Sequence, residues 1–141
     1  MKRFIVYGLA IAGLIPFMIG ALYHLSPIIL PQWSWLGSVT TYYGAIILSF
    51  LGGIQWGMSL SQANIKTKQW LIFSNIISLM AFASLLVPIY ALTLVILCFG
   101  YLLALVVDLN ILATIGPMSG YRSLRVWLTI AVCLLIGLSG L

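Results

Sequence analysis

Asp108 is the one acidic residue of this chain and His24 its one histidine, and only 5% of the 141 residues are charged. That scarcity excludes whole classes of chemistry. A lone carboxylate cannot form the acid and base pair of glycoside hydrolysis. A lone imidazole cannot supply both protein ligands of a bis-histidine haem. The two cysteines, Cys98 and Cys133, lie inside apolar runs without metal-ligand spacing, so no metal site is expected. The sequence has no phosphate-binding loop and no nucleophile elbow. The basic residues stand in three pairs, Lys2 with Arg3, Lys66 with Lys68 and Arg122 with Arg125. None of these is long enough to be a nucleic-acid arm, so no nucleic-acid partner is expected.

What the chain has instead is hydrocarbon: 64% of its residues are hydrophobic. So few charges cannot cover a water-soluble globule of this length without leaving wide apolar patches, so the expected solvent is a lipid bilayer. A hydrocarbon core about 30 Å thick needs roughly 20 helical residues per crossing. On that length the runs divide into spans at about 4–23, 41–60, 69–87, 90–108 and 124–141. The run from Trp70 to Val107 is too long for one crossing, and Pro88 is its natural break, because proline removes a helix hydrogen bond and clashes with the preceding turn. The start, Met1-Lys2-Arg3 before an apolar run, imitates a signal peptide but lacks a small-residue cleavage pattern after a short core, and reads as a retained span.

The basic pairs test this count. Five spans place the amino terminus, the Lys66 and Lys68 loop and the Arg122 and Arg125 segment on one side, while the opposite loops carry no basic residue. That is the positive-inside bias, and it predicts a cytoplasmic amino terminus and an external carboxyl terminus. Trp33 and Trp35 then fall in the outer loop and Trp70 and Trp127 near the inner boundary, the headgroup depth that suits an apolar ring with one N–H. The expected fold is a single domain, an all-α integral membrane protein in which five transmembrane helices form a compact bundle.

Within the second span, the stretch YYGAIILSFLGGIQWG raises the question of function, because glycines weaken a helix. A helical wheel sorts Thr41, Tyr42, Gly44, Ala45, Ser49, Gly52, Gly53, Gln55, Trp56 and Ser59 onto one half, and Tyr43, Ile46, Ile47, Phe50, Leu51, Ile54, Gly57 and Met58 onto the other. The small and polar half is expected to face protein, since an unpaired amide is costly in hydrocarbon. Ala45, Ser49 and Gly53 recur every four residues, the small-xxx-small pattern of close helix packing. The same face, through Tyr42, Ser49, Gln55 and Trp56, is the alternative candidate for a cavity that takes a quinone, a lipid or a tetrapyrrole. Asn75 on the third span is a candidate partner for Gln55. Asp108 is expected to close the fourth span at the inner boundary and to join Tyr121, Arg122 and Arg125 in a charged network that holds the 109–123 loop. His24 is expected to snorkel at the outer boundary.

Three stretches, GLIPF at 13–17, YGAIILSFLGGIQWG at 43–57 and DLNILATIGPMSGYRSLRVWLT at 108–129, together resemble the bacterial and mitochondrial transmembrane protein 69-like family, whose shared region is known as domain of unknown function 3429. The resemblance covers essentially the whole chain, and its last part corresponds to Asp108, Pro117, Tyr121, Leu124, Arg125 and Thr129. Relatives often have histidine where this chain has Gln55 and tryptophan where it has Gly120, so a role that requires imidazole at position 55 is not available here. The resemblance implies an integral helical fold in a bacterial inner membrane and brings no established activity. The expected function is that of a non-enzymatic accessory, assembly or stabilising subunit, in a larger membrane complex or a homo-oligomer. A small-solute carrier or channel, with Pro16 kinking the first span, and a binder of a lipid-soluble ligand are the alternatives.

Overall fold

The computed structural model describes residues 2–26, 31–61, 67–116 and 120–141. Its regular elements are α1 (Lys2–Ala12), α2 (Ile15–Leu25), a 3-10 segment (Pro31–Ser38), α3 (Val39–Leu60), α4 (Thr67–Leu86), α5 (Tyr90–Ile115) and α6 (Tyr121–Leu138). Five helical stretches are long and apolar enough to cross a membrane: Phe4–Leu25, Gln32–Leu60, Lys68–Leu86, Tyr90–Thr114 and Tyr121–Leu138. Lys66 and Pro117 lie outside the described residues.

Each departure from the expected boundaries has a local cause. The first span is broken between α1 and α2 because Pro16, in the first turn of α2, has no N–H to continue the ladder. The chain tightens there, with Leu14 N bonded to Ile11 O at 3.0 Å, and regular pairing resumes with Met18 N to Leu14 O at 3.0 Å. The fourth span does not close at Asp108. No helix breaker follows that residue, so α5 continues to Ile115 and stops at Gly116, whose φ of 104° is left-handed and suited to glycine. Gly120, at φ 86°, turns the chain into α6, three residues earlier than expected. At the Pro88 hairpin, Thr93 Oγ1 donates toward Ser84 O at 3.1 Å and lies 3.3 Å from Val87 O, so it satisfies carbonyls that the end of α4 leaves open.

Long-range contacts order the two ends of the bundle. Tyr7 donates to Gly120 O at 3.3 Å, and Gln55 joins α3 to α5 near Asp108, so the starts of α1 and α6 and the ends of α3 and α5 lie toward one end. At the other end, His24 Nε2 lies 3.2 Å from Gly37 O and 2.9 Å from the Tyr90 hydroxyl, with its ring stacked on that of Tyr90. Thr40 Oγ1 meets Ser139 Oγ at 3.1 Å there as well. His24 therefore ties the end of the first span to the 3-10 segment that precedes α3 and to the start of α5.

α3 is the central helix and packs on α2, α4 and α5. Leu48, Ile77, Leu97, Tyr101, Ala104 and Ile136 form the heart of the core. Its closeness depends on small residues. A Cβ at Gly100 would stand 2.5 Å from Leu48 Cδ2, and one at Gly20 would collide with the Thr40 hydroxyl. Tyr101 reaches through this core to donate to Gly44 O at 2.8 Å. Lipid tails are as apolar as these side chains, so close dispersion contact rather than the hydrophobic effect holds such a seam together.

Candidate functional site

Two features of the interior carry chemistry: a polar junction between three helices and a cavity beside it. The junction begins with Gln55, which is fully buried on α3. Its Nε2 donates to Ala104 O and to Asp108 Oδ1, both at 2.8 Å. On the other side of the carboxylate, the Arg125 guanidinium of α6 forms an ion pair with Asp108 Oδ2. Both charged residues are buried, so one carboxylate staples α3, α5 and α6 within the bundle. The amide and the guanidinium together compensate a charge that would otherwise be very costly to bury.

This corrects the expected boundary network. Asp108 holds two other helices rather than the 109–123 loop, because α5 runs on for seven residues beyond it. Arg122 is exposed on the first turn of α6 and takes no part, and Tyr121 is half-buried beside the cavity. Asn75 is exposed and donates back to Leu71 O at 2.9 Å on its own helix, so it is not the partner of Gln55. The pairing of Asp108 with Arg125 is the part of the expected network that the structure contains, whereas Gln55 as the second partner of the carboxylate was not anticipated.

The small face of α3 also differs from the wheel reading. Its buried residues are Thr40, Thr41, Gly44, Ala45, Leu48, Gly52, Gln55 and Ser59. That face is turned by about half of a 100° residue step from the expected one, because Leu48 is claimed by the core although it is bulky. Ala45 and Gly52 are thus inside, while Tyr42, Ser49, Gly53 and Trp56 are exposed. At Gly52 a Cβ would lie 2.7 Å from Ser74 O and collide with the Ser78 hydroxyl, so this glycine sets the approach of α3 to α4. At Gly53 and Gly57 a Cβ would meet nothing within 4 Å. The glycines of the motif therefore divide, Gly44 and Gly52 inward, Gly53 and Gly57 outward.

The cavity, about 400 Å³ and half-open, lies between the first span, α3 and α6. Its walls include Leu9 of the first span and Ile47, Phe50 and Ile54 from the bulky half of the second-span wheel, with Tyr121, Arg125 and Thr129 along α6. Thr129 is 2% exposed and its hydroxyl has no hydrogen-bond partner among the described residues. Its importance was not anticipated beyond its place in the family resemblance, since a single threonine in an apolar helix usually bonds back to its own backbone.

The family model described as protein of unknown function (DUF3429) matches residues 2–141. Transmembrane protein 69 of Xenopus tropicalis is 35% identical over 136 residues, which are 92% of this chain and 51% of that protein. The chain thus spans about half the length of this curated relative. No solved structure matches. With a match from end to end and five helices fit to cross a bilayer, this chain belongs to the DUF3429 family of transmembrane helical proteins.

Proposed function

We propose that the protein is a non-enzymatic accessory subunit of a bacterial cytoplasmic membrane, which associates within the bilayer through the outward face of α3. The observation that carries this reading is the pair Gly53 and Gly57, four residues apart on an exposed helix face with open space beside both. Ser49 extends the stripe by another turn, and Tyr42 and Trp56 flank it. A glycine in a helix interior costs about 1 kcal/mol relative to alanine. Inside this chain the cost at Gly52 is offset by contact with α4; at Gly53 and Gly57 no such contact exists among the described residues, which fits a helix supplied from outside the chain. The GxxxG spacing suits close approach of a second backbone.

The orientation in this proposal has a cytoplasmic amino terminus, supported by the three basic pairs of the sequence, which a five-span path puts on one side. The bacterial inner membrane rests on the sequence resemblance. The occupant of the α3 face is either a second copy or another membrane subunit. The buried Gln55, Asp108 and Arg125 junction supports a packing role over a solute route, since its carboxylate is met by the amide on one side and by the guanidinium on the other.

The test is purification in native lipid patches of the wild type and of Gly53→Leu with Gly57→Leu. The expected result is a native mass above that of one chain in the wild type, falling to a single chain in the double variant at unchanged thermal stability. A wild-type mass of one chain with no co-purifying subunit would overturn the reading.

A further inference from the structure

The α6 side of the cavity is built in a way that packing does not explain. Helix hydroxyls in this chain habitually donate to a carbonyl three or four residues back: Ser74 to Leu71, Ser78 to Ser74, Ser84 to Ala81, Thr114 to Asn110 and Ser139 to Leu135. Thr129 and Ser59 are buried hydroxyls that do not, and of the two it is Thr129 that borders the cavity. A buried hydroxyl left without an acceptor costs about 1–3 kcal/mol. An acceptor delivered into the cavity would remove that cost.

The neighbouring residues narrow the chemistry of the acceptor. Arg125, one turn before Thr129, also lines the cavity, but its charge is already met by Asp108. An anionic headgroup would have to compete with that carboxylate, whereas a neutral carbonyl needs only a guanidinium or hydroxyl proton. Depth argues the same way. Thr129 lies about 12 Å along the helix from Tyr121, close to the middle of a bilayer core about 30 Å thick. Phospholipid esters and headgroups sit near the boundary, and the acyl chain that reaches mid-membrane carries no acceptor. The walls at this level are both aliphatic and aromatic, with Phe17, Phe50 and Tyr101 around the space.

We propose that this cavity binds a neutral lipid-soluble quinone, its ring between the aromatic walls and one carbonyl oxygen accepting the Thr129 hydroxyl proton. Arg125, about 6 Å away along the helix axis, faces the opposite carbonyl of the ring. The hydrocarbon tail leaves through the open side of the cavity into lipid. This site lies apart from the outward stripe of α3 and stands whether or not that stripe binds a partner.

The experiment uses the full chain in detergent micelles and a benzoquinone with a ten-carbon tail as probe, titrated by quenching of intrinsic fluorescence. Wild type is expected to bind saturably. Thr129→Val, which removes the hydroxyl at nearly constant volume, is expected to weaken binding about tenfold. Ala10→Phe, which fills the cavity from the loosely packed α1, is expected to abolish it, with thermal stability without probe preserved in both variants. Solvent extraction of protein from native membranes, followed by mass spectrometry, should recover a quinone from wild type and not from Ala10→Phe. The proposal is overturned if the probe binds Ala10→Phe or Thr129→Val as well as wild type. It is equally overturned if extraction of wild type yields phospholipid alone.

Discussion

Gln55 of α3 and Asp108 of α5, 53 positions apart in sequence, meet at 2.8 Å inside the bundle, and the carboxylate continues to Arg125 of α6. Three helices share one buried charge pair. Removing either charge leaves the other without compensation in a medium that cannot hydrate it.

Asp108→Ala should therefore lower stability by about 3–5 kcal/mol, the range for an orphaned buried charge. Asp108→Leu combined with Arg125→Met should recover most of that loss, because the volume is kept and no charge remains to be buried. Thermal unfolding in a single detergent checks both; a double variant no more stable than Asp108→Ala would show that the pair contributes more than mutual neutralisation.

Adjacent glycines should behave oppositely. Gly52→Leu drives a side chain into Ser74 and Ser78 of α4 and should prevent assembly of the bundle, whereas Gly53→Leu should leave the unfolding temperature of the single chain unchanged. Circular dichroism melts of the two purified variants distinguish them. A Gly53→Leu protein that melts as low as Gly52→Leu would mean that both glycines serve internal packing.

Tyr101→Phe keeps the ring that fills the core and removes the donor to Gly44 O. The expected loss is about 1 kcal/mol, since the carbonyl belongs to a helix and loses only its second partner. A chemical denaturation midpoint measured for both proteins gives the answer.

Single cysteines placed at Lys68 and at Ser26, in a background with Cys98→Ala and Cys133→Ala, should react with a membrane-impermeant maleimide from opposite sides of intact cells and inverted vesicles. Ser26 is expected to label from outside and Lys68 from the cytoplasm, following the charge bias. Labelling of both from one side would refute the five-span path.

At the end of the bundle away from the Asp108 junction, His24→Ala removes contacts to Gly37 and Tyr90 at once. Faster hydrogen exchange in the 3-10 segment Pro31–Ser38 and in the first turn of α5 is expected, with the junction around Asp108 unaffected. Uniform exchange change over the chain would instead point to global destabilisation.

The number of spans and the break at Pro88 could be read directly from the chain, because bilayer thickness and proline geometry act locally and leave marks every few residues. The helix ends at Leu60, Leu86 and Leu138 fell within a few positions of expectation for the same reason. Where α5 ended could not be read so well: Asp108 looked like a boundary charge, and only a partner from another helix allows a charge to be buried instead.

Composition thus sufficed to choose lipid as the solvent, and hydrophobic run lengths to choose how many helices are long and apolar enough to cross it. Neither could decide which side of a helix faces a neighbour. Ala45, Ser49 and Gly53 have the right spacing for a seam, yet Leu48 enters the core and turns the seam to Gly44, Gly52 and Gln55. That choice depends on shapes supplied by Ser74, Gly100 and Ala104 from distant parts of the chain. Side-chain type reports what a residue tolerates, and only the packed neighbours determine which of the tolerated surroundings it receives.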